Sequence, residues 1–322
     1  MSTRRYLISK ILQALLTLVF VLAFNFFLFR GLGNPVDLLS RGRGAMTAAA
    51  IQEENHVLGL DLPLPQQFLH YMKETLSGHM GFTLGATPVS QEIGVRIWPT
   101  VLLIGTSTAA SILLGVYIGI VQGWRRGSKL DKSMLGITLV LYAMPEFWFG
   151  LLMIMLFSVT LNIFPAGGMQ STATDLHGLT LWLDVGRHLA LPFFVLTVSY
   201  LAEYSLIMRS SLMEVLTEDF VATARAKGVR EKLVRRRHAV PNALLPTMTI
   251  TILSLGYVLG GAIVIETIFS WPGLGNLTFE GIKARDYSLL QGLFLVFSAA
   301  VIISNVVADL LYSYFDPRVR AA

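Results

Sequence analysis

Six apolar runs, at about 11–29, 99–123, 136–161, 188–208, 244–268 and 289–313, alternate with polar stretches along the 322 residues. A helix of about 20 apolar residues crosses the hydrocarbon core of a bilayer. The pattern therefore predicts an all-α, polytopic membrane protein with six transmembrane helices. The first run follows Arg4, Arg5 and Lys10. It is longer than the apolar part of a cleaved leader and has no small-residue cleavage site after it, so it reads as an uncleaved signal anchor. Residues 31–98 mix proline, glycine and both charge signs, with short helices predicted at Thr47–Leu58 and Pro65–Leu76. A connection of that length favours an ordered extracytoplasmic cap over a passive linker. The expected organisation is a first membrane helix (1–30), a cap region (31–98), a five-helix core (99–313) and a short tail (314–322).

Composition sharpens this picture. Hydrophobic residues make up 54% of the chain and charged residues 14%, against about a quarter charged in soluble domains. With the N-terminus inside, 17 of the 25 lysines and arginines fall on the cytoplasmic side. The excess of positive charge inside sets this orientation, with both termini cytoplasmic. There is no cysteine, hence no disulfide framework and no thiolate metal site. Small residues recur in the second span (Gly105, Gly115, Gly119, Gly123) and the fifth (Gly256, Gly260, Gly261), where they permit close helix packing in lipid. Pro145, Pro192 and Pro246 should kink or delimit helices.

The polar segment 209–241 differs from the other loops. From Asp219 to Pro246 it reads DFVATARAKGVREKLVRRRHAVPNALLP, with eight Arg, Lys or His. Thr217 is placed to cap a helix, with Glu218 and Asp219 in the first turn and Arg225 and Lys227 in the last. Gly228 stands where a left-handed residue ends a helix, and a second short helix is expected from Val229 to His238. Three readings compete. A solvated loop would only fix topology, and a DNA-binding helix-turn-helix is opposed by the membrane-length runs on both sides. A docking element fits the small residues Ala222, Ala224 and Ala226, which permit close backbone approach to a partner.

This segment resembles the "EAA" loop in the membrane subunits of bacterial ABC importers. That pattern has Gly four residues after its last Ala and ends ten to thirteen residues beyond the Gly; here these are Ala224, Gly228 and His238-Ala239-Val240-Pro241. Ala222 stands where the family has Glu, followed by Thr223. The wording TARAKG, a His and NALLP is similar to the peptide-importer branch. The resemblance implies a coupling helix, made here by Asp219, Phe220, Ala222, Thr223, Ala224, Arg225, Ala226, Lys227 and Gly228, that sits on an ATPase subunit. Weaker echoes are GLDLPLPQQFLHYM, Gly33-Asn34-Pro35, SGHMGFT and Asp316-Pro317-Arg318.

A second stretch, ETIFSWPGLGNLTFEGIKARDYSLLQG, resembles the same branch through Phe269, Pro272-Gly273-Leu274-Gly275, Arg285-Asp286-Tyr287 and Gln291-Gly292. It departs at Asn276 and Ser288, where the family often has arginine and usually proline. From the residues alone, Trp271 reads as a membrane-interface anchor and Pro272–Gly275 as a tight turn. The resemblance implies a gate or a binding-protein docking surface, with Trp271, Pro272, Gly273, Arg285 and Asp286 as docking candidates. Four acids lie in or beside spans: Glu146, Glu203, Glu266 and Asp309. Acids at membrane depth are costly and mark either a polar route or a structural hydrogen bond. Glu146, Glu203, Glu266 and Phe269 are the candidates for a translocation pathway or gate.

No phosphate-binding loop, zinc motif or nucleophile elbow is present. The chain is expected to have no catalytic residue, no metal and no cofactor of its own, ATP and Mg being bound by partners. The implied partners are a second homologous permease, two ATP-binding subunits, an extracytoplasmic peptide-binding protein and the lipid bilayer, with no nucleic acid. The implied function is import of di- or oligopeptides across the bacterial cytoplasmic membrane by alternating access. The alternatives are nickel complexes, glutathione or another small solute as cargo, a stand-alone channel, or an intramembrane enzyme, which would need a Ser–His pair that no span evidently holds.

Overall fold

A computed structural model describes residues 3–31, 52, 55–56, 59–171, 176–258 and 262–315. The helices are α1 (Thr3–Gly31), α2 (Leu64–Leu76), α3 (Val89–Thr100), α4 (Thr106–Trp124), α5 (Lys129–Ala143) and α6 (Glu146–Met153). They are followed by α7 (Leu179–Val215), α8 (Asp219–Ala226), α9 (Val240–Val258), α10 (Ile263–Ile268), α11 (Leu274–Ala284) and α12 (Tyr287–Phe315). Among the described residues there is no β-strand beyond one isolated bridge, Phe82 with Pro88. The all-α expectation holds. Gly33-Asn34-Pro35, the tail at 316–322 and the side chain of Asp309 lie outside the described residues, as does most of the helix expected at 47–58.

Among the described residues, four helical segments are long and apolar enough to cross a membrane: Ile8–Gly31, Val89–Trp124, Leu179–Val215 and Tyr287–Ala308. A fifth crossing counts Lys129–Ala143 with Glu146–Thr160, two segments meeting at 98°. The span expected at 136–161 is thus broken at Pro145, one of the prolines expected to kink or delimit a helix, and its chemistry explains why. Residues preceding proline avoid the helical region, and Met144 is extended (ψ 125°) ahead of Pro145. The segment expected as the fifth of six spans, 244–268, is occupied by α9, which is 19 residues long with Pro246 inside, and the separate α10. Pro99 near the end of α3 is followed by a π-helical turn at Val101–Gly105, a common accommodation where a helical hydrogen bond is lost. Pro192 is carried within the 37-residue α7.

The chain divides into two compact units. One comprises residues 1–100, 259–263 and 272–322, so α12 belongs with the N-terminal part. In it Val89 and Ile93 of α3 pack with Leu274 and Leu277 of α11 and Leu289 and Leu293 of α12. Asn25, fully buried in α1, donates from Nδ2 to Tyr71 Oη (3.0 Å) and to Gln291 O (3.1 Å), joining α1 to α2 and α12. Burial raises the Tyr71 hydroxyl above its usual range, so it stays neutral and keeps its proton. Asp286 accepts from Leu84 N (2.7 Å) and Leu289 N (3.1 Å), tying the strap before α3 to the first turn of α12.

The other unit comprises residues 101–258 and 264–271. Its centre is the close pairing of α4 with α7. A Cβ placed on Gly115 would lie 2.7 Å from Tyr204 Cβ, and one on Gly119 would lie 2.6 Å from Ser205 O. Gly123 is nearly as tight, 3.1 Å from Leu212. The four-residue glycine spacing lets the two backbones touch, the arrangement small residues serve where apolar burial alone gives no drive between helices.

Candidate functional site: the basic loop and its neighbours

The loop after α7 forms two short helical pieces about a left-handed turn. Helix α8 begins at Asp219, its cap residue being Glu218, which makes no side-chain capping bond. Thr217 is not the cap. Its hydroxyl donates back to Glu214 O (2.7 Å), closing the end of α7. Asp219 lies in the first turn and Arg225 in the last, each favourable to the helix dipole. Gly228 has φ +73°, as its position predicts, with open space where a Cβ would stand. Arg225 Nε meets Glu231 Oε1 at 3.0 Å across this turn. The second piece begins at Glu231, not Val229, and runs through a π-helical turn (Val234–Ala239) straight into α9. It is the entry of a long helix, not a separate one.

Burial assigns the faces of α8. Val221 and Ala224 are buried with Val234, packed by Trp124, Val215, Leu216 and Val229. Residues three apart share a helix face, so these two root α8 on its own chain. Asp219, Phe220, Ala222, Thr223, Arg225, Ala226, Lys227 and Gly228 are exposed. Ala224 alone among the nine coupling candidates is turned inward. Phe220 is 42% exposed, a large aromatic beside polar neighbours. Arg235 lies over the Trp124 ring at 5.7 Å, holding the second piece against the end of α4.

The membrane-depth candidates separate. Glu146 opens α6 just past the Pro145 break and is half-buried, whereas Glu203 on α7 is exposed. Glu266 is fully buried, its backbone carbonyl accepting from Trp271 N (2.7 Å), and Phe269 is 1% exposed. Neither offers surface to a solute in this conformation. Phe269 O accepts from Gly168 N (2.8 Å), and a Cβ on Gly167 would sit 2.7 Å from that oxygen. The loop after α6 is thereby closed over Phe269.

The docking candidates also separate. Trp271 is fully buried, so the expectation of an interface anchor is corrected. Gly273 is buried and caps α11, whose first N–H, Leu274 N, donates to Thr100 Oγ1 (2.7 Å). Asp286 is committed to the internal bonds already described. Pro272 is half-buried, and Arg285, left-handed at φ +56°, is exposed. Among the described residues no group of three or more His, Asp or Glu is placed to hold a metal.

The pairing that sequence reasoning misses is Asp131 with Arg209. Arg209 Nε and Nη2 donate to Asp131 Oδ1 (2.8 Å) and Oδ2 (3.0 Å). The one signal in the sequence is Ser128-x-x-Asp131 ahead of an apolar run, a capping pattern that Ser128 fulfils by accepting from Asp131 N.

The description "binding-protein-dependent transport system inner membrane component" matches residues 111–321, and its N-terminal counterpart matches residues 3–92. The chain belongs to that family. It is therefore a multi-pass inner-membrane component. A dipeptide transport system permease protein of Escherichia coli (strain K12) is 37% identical over 311 residues, covering 89% of this chain and 90% of that protein. A glutathione transport system permease protein of Pectobacterium atrosepticum is 37% identical over 319 residues, 98% of each chain. The fold is similar to a chain of the inward-facing MetNI methionine ABC transporter, with TM-score 0.56 at 15% identity, covering 70% of this chain and 96% of that one. The resemblance of the basic loop to peptide-importer subunits agrees with the names these relatives carry.

Proposed function

We propose that this chain is one permease subunit of an ATP-driven ABC importer that moves di- or oligopeptides inward by alternating access. The observation that carries this reading is α8: a short helix rooted by Val221 and Ala224 that turns Phe220, Thr223 and Lys227 outward. An isolated eight-residue helix is unstable in water, and a rooted one with an exposed aromatic face is suited to a partner groove. In this reading the exposed face docks on an ATPase subunit in the cytoplasm, and both termini are cytoplasmic. ATP and Mg are bound by two such subunits, so this chain makes no covalent bond. A second, homologous permease completes the pore, and an extracytoplasmic binding protein delivers peptide.

The cargo assignment draws on the dipeptide permease relative. Glutathione, itself a small peptide, is the second reading, favoured by a relative matched over 98% of its length. The test is purification in mild detergent with co-expressed neighbours, followed by reconstitution in liposomes. Co-purified ATPase and second permease, with ATP-dependent uptake of labelled dipeptide that excess glutathione does not abolish, is the expected result. Uptake without any ATPase would establish a channel instead.

A further inference from the structure

Resting on the import reading above, we infer that the Asp131–Arg209 ion pair is a positioning joint that transmits movement of the basic loop to the α4–α5 hairpin. Arg209 stands on α7, six residues before that helix ends at Val215 and ten before α8 begins at Asp219. Its two nitrogens grip both carboxylate oxygens of Asp131 in the first turn of α5. A fork-to-fork contact of this kind fixes distance and angle together, which apolar contacts do not. The carboxylate has a third donor. Gly127 N, in the turn joining α4 to α5, donates to Asp131 Oδ2 (2.9 Å). Asp131 is 2% exposed and Arg209 17%, so the pair is shielded from the water that loosens surface ion pairs.

The joint does not stand alone. One turn earlier on α7, Ser205 Oγ reaches Gln122 Oε1 of α4 (3.5 Å), and Gln122 Nε2 donates to Thr138 Oγ1 of α5 (3.2 Å). Gln122 is fully buried. Residues 205 and 209 thus present one polar face of α7 to both arms of the hairpin. On the loop side, Trp124, the last residue of α4, packs with Val221, Ala224 and Val234. The end of α7 and the root of α8 are therefore gripped by the same hairpin, at Asp131 and at Trp124. A push on α8 cannot turn the end of α7 without carrying α4 and α5 with it.

Stability alone is a poor account of such a pair, because buried ion pairs are often matched by apolar replacements of similar volume. The experiment uses the whole importer in liposomes and reads ATP hydrolysed per peptide taken up, beside the amount of assembled complex. Asp131→Asn and Arg209→Lys, which weaken the charge pairing and the fork respectively, are expected to raise that ratio about ten-fold, a typical coupling free energy between sites, with assembly retained. The exchange of charges, Asp131→Arg with Arg209→Asp, is expected to bring the ratio back toward the native value. An unchanged ratio in Arg209→Lys, or hydrolysis and uptake falling together in proportion to assembled complex, overturns the joint. Absence of ATP-driven uptake in the native complex would instead overturn the import reading.

Discussion

Ala224 of α8 and Val234 beyond the Gly228 turn lie in one buried cluster, 6% and 0% exposed. The loop therefore folds on itself before it meets anything else, and α8 has an inner and an outer face. A larger side chain at Ala224 would disturb the chain's own packing. Ala224→Leu should lower the thermal midpoint of the detergent-solubilised protein, as overpacking commonly destabilises by about 1–3 kcal/mol. Thr223→Leu, on the outer face, should leave that midpoint unchanged and weaken ATPase binding. The check is a thermal melt beside co-purification yield for each variant.

Gly228 offers a separate prediction. A Cβ at this position would meet nothing within 4 Å, so only the backbone at φ +73° opposes a side chain. A β-branched residue would be strained by about 1–2 kcal/mol. Gly228→Val should insert and assemble, yet hydrolyse ATP with reduced uptake, because the strain falls at the turn between α8 and α9. Gly228→Asn, which tolerates the left-handed region, should stay near the native ratio of uptake to hydrolysis. Liposome assays of hydrolysis and uptake on the two variants provide the comparison.

The α4–α7 contact can be tested by one methyl group. Gly119→Ala would bring a carbon to 2.6 Å from Ser205 O and force the helices apart. A loss of about 1–3 kcal/mol is expected. Gly136→Ala on α5, where nothing lies within 4 Å, is the control and should be neutral or slightly stabilising, since Ala is the better helix former. Equal melting behaviour of the two variants would contradict the close contact.

Asp286 and Arg285, adjacent in sequence, should behave differently. Asp286→Ala removes the acceptor for Leu84 N and Leu289 N and should destabilise by about 1–3 kcal/mol, with faster hydrogen exchange at Leu84. Arg285→Ala removes an exposed side chain and should leave stability unchanged. A fall in binding-protein stimulation in Arg285→Ala would then identify a docking contact separate from folding.

Much of this is legible in the sequence because it follows from local rules. The apolar runs mark the long helices, the glycine spacing marks the α4–α7 contact, and Gly228 marks the left-handed turn. Pro145 marks the break in the third run, but its 98° angle depends on packing that local pattern does not encode. The buried state of Trp271 and Glu266 is illegible for a similar reason: an aromatic and an acid near a span end read as boundary residues until tertiary contacts enclose them. A threonine ahead of two acids fits a helix cap, yet the Thr217 hydroxyl finds its acceptor in the preceding helix. The Asp131–Arg209 pair joins residues 78 apart, and no periodicity links them.

Docking of the outer face of α8 on an ATPase subunit, as proposed above, is open to cysteine cross-linking, since the native chain has no cysteine. Single cysteines at Phe220, Thr223, Lys227 and Ala224 would be paired with cysteines lining the groove of the co-expressed ATPase. Cross-links are expected from 220, 223 and 227, with Ala224→Cys unreactive in the folded complex. Cross-linking confined to position 224, or none at any of the four in a complex that still imports peptide, would contradict it.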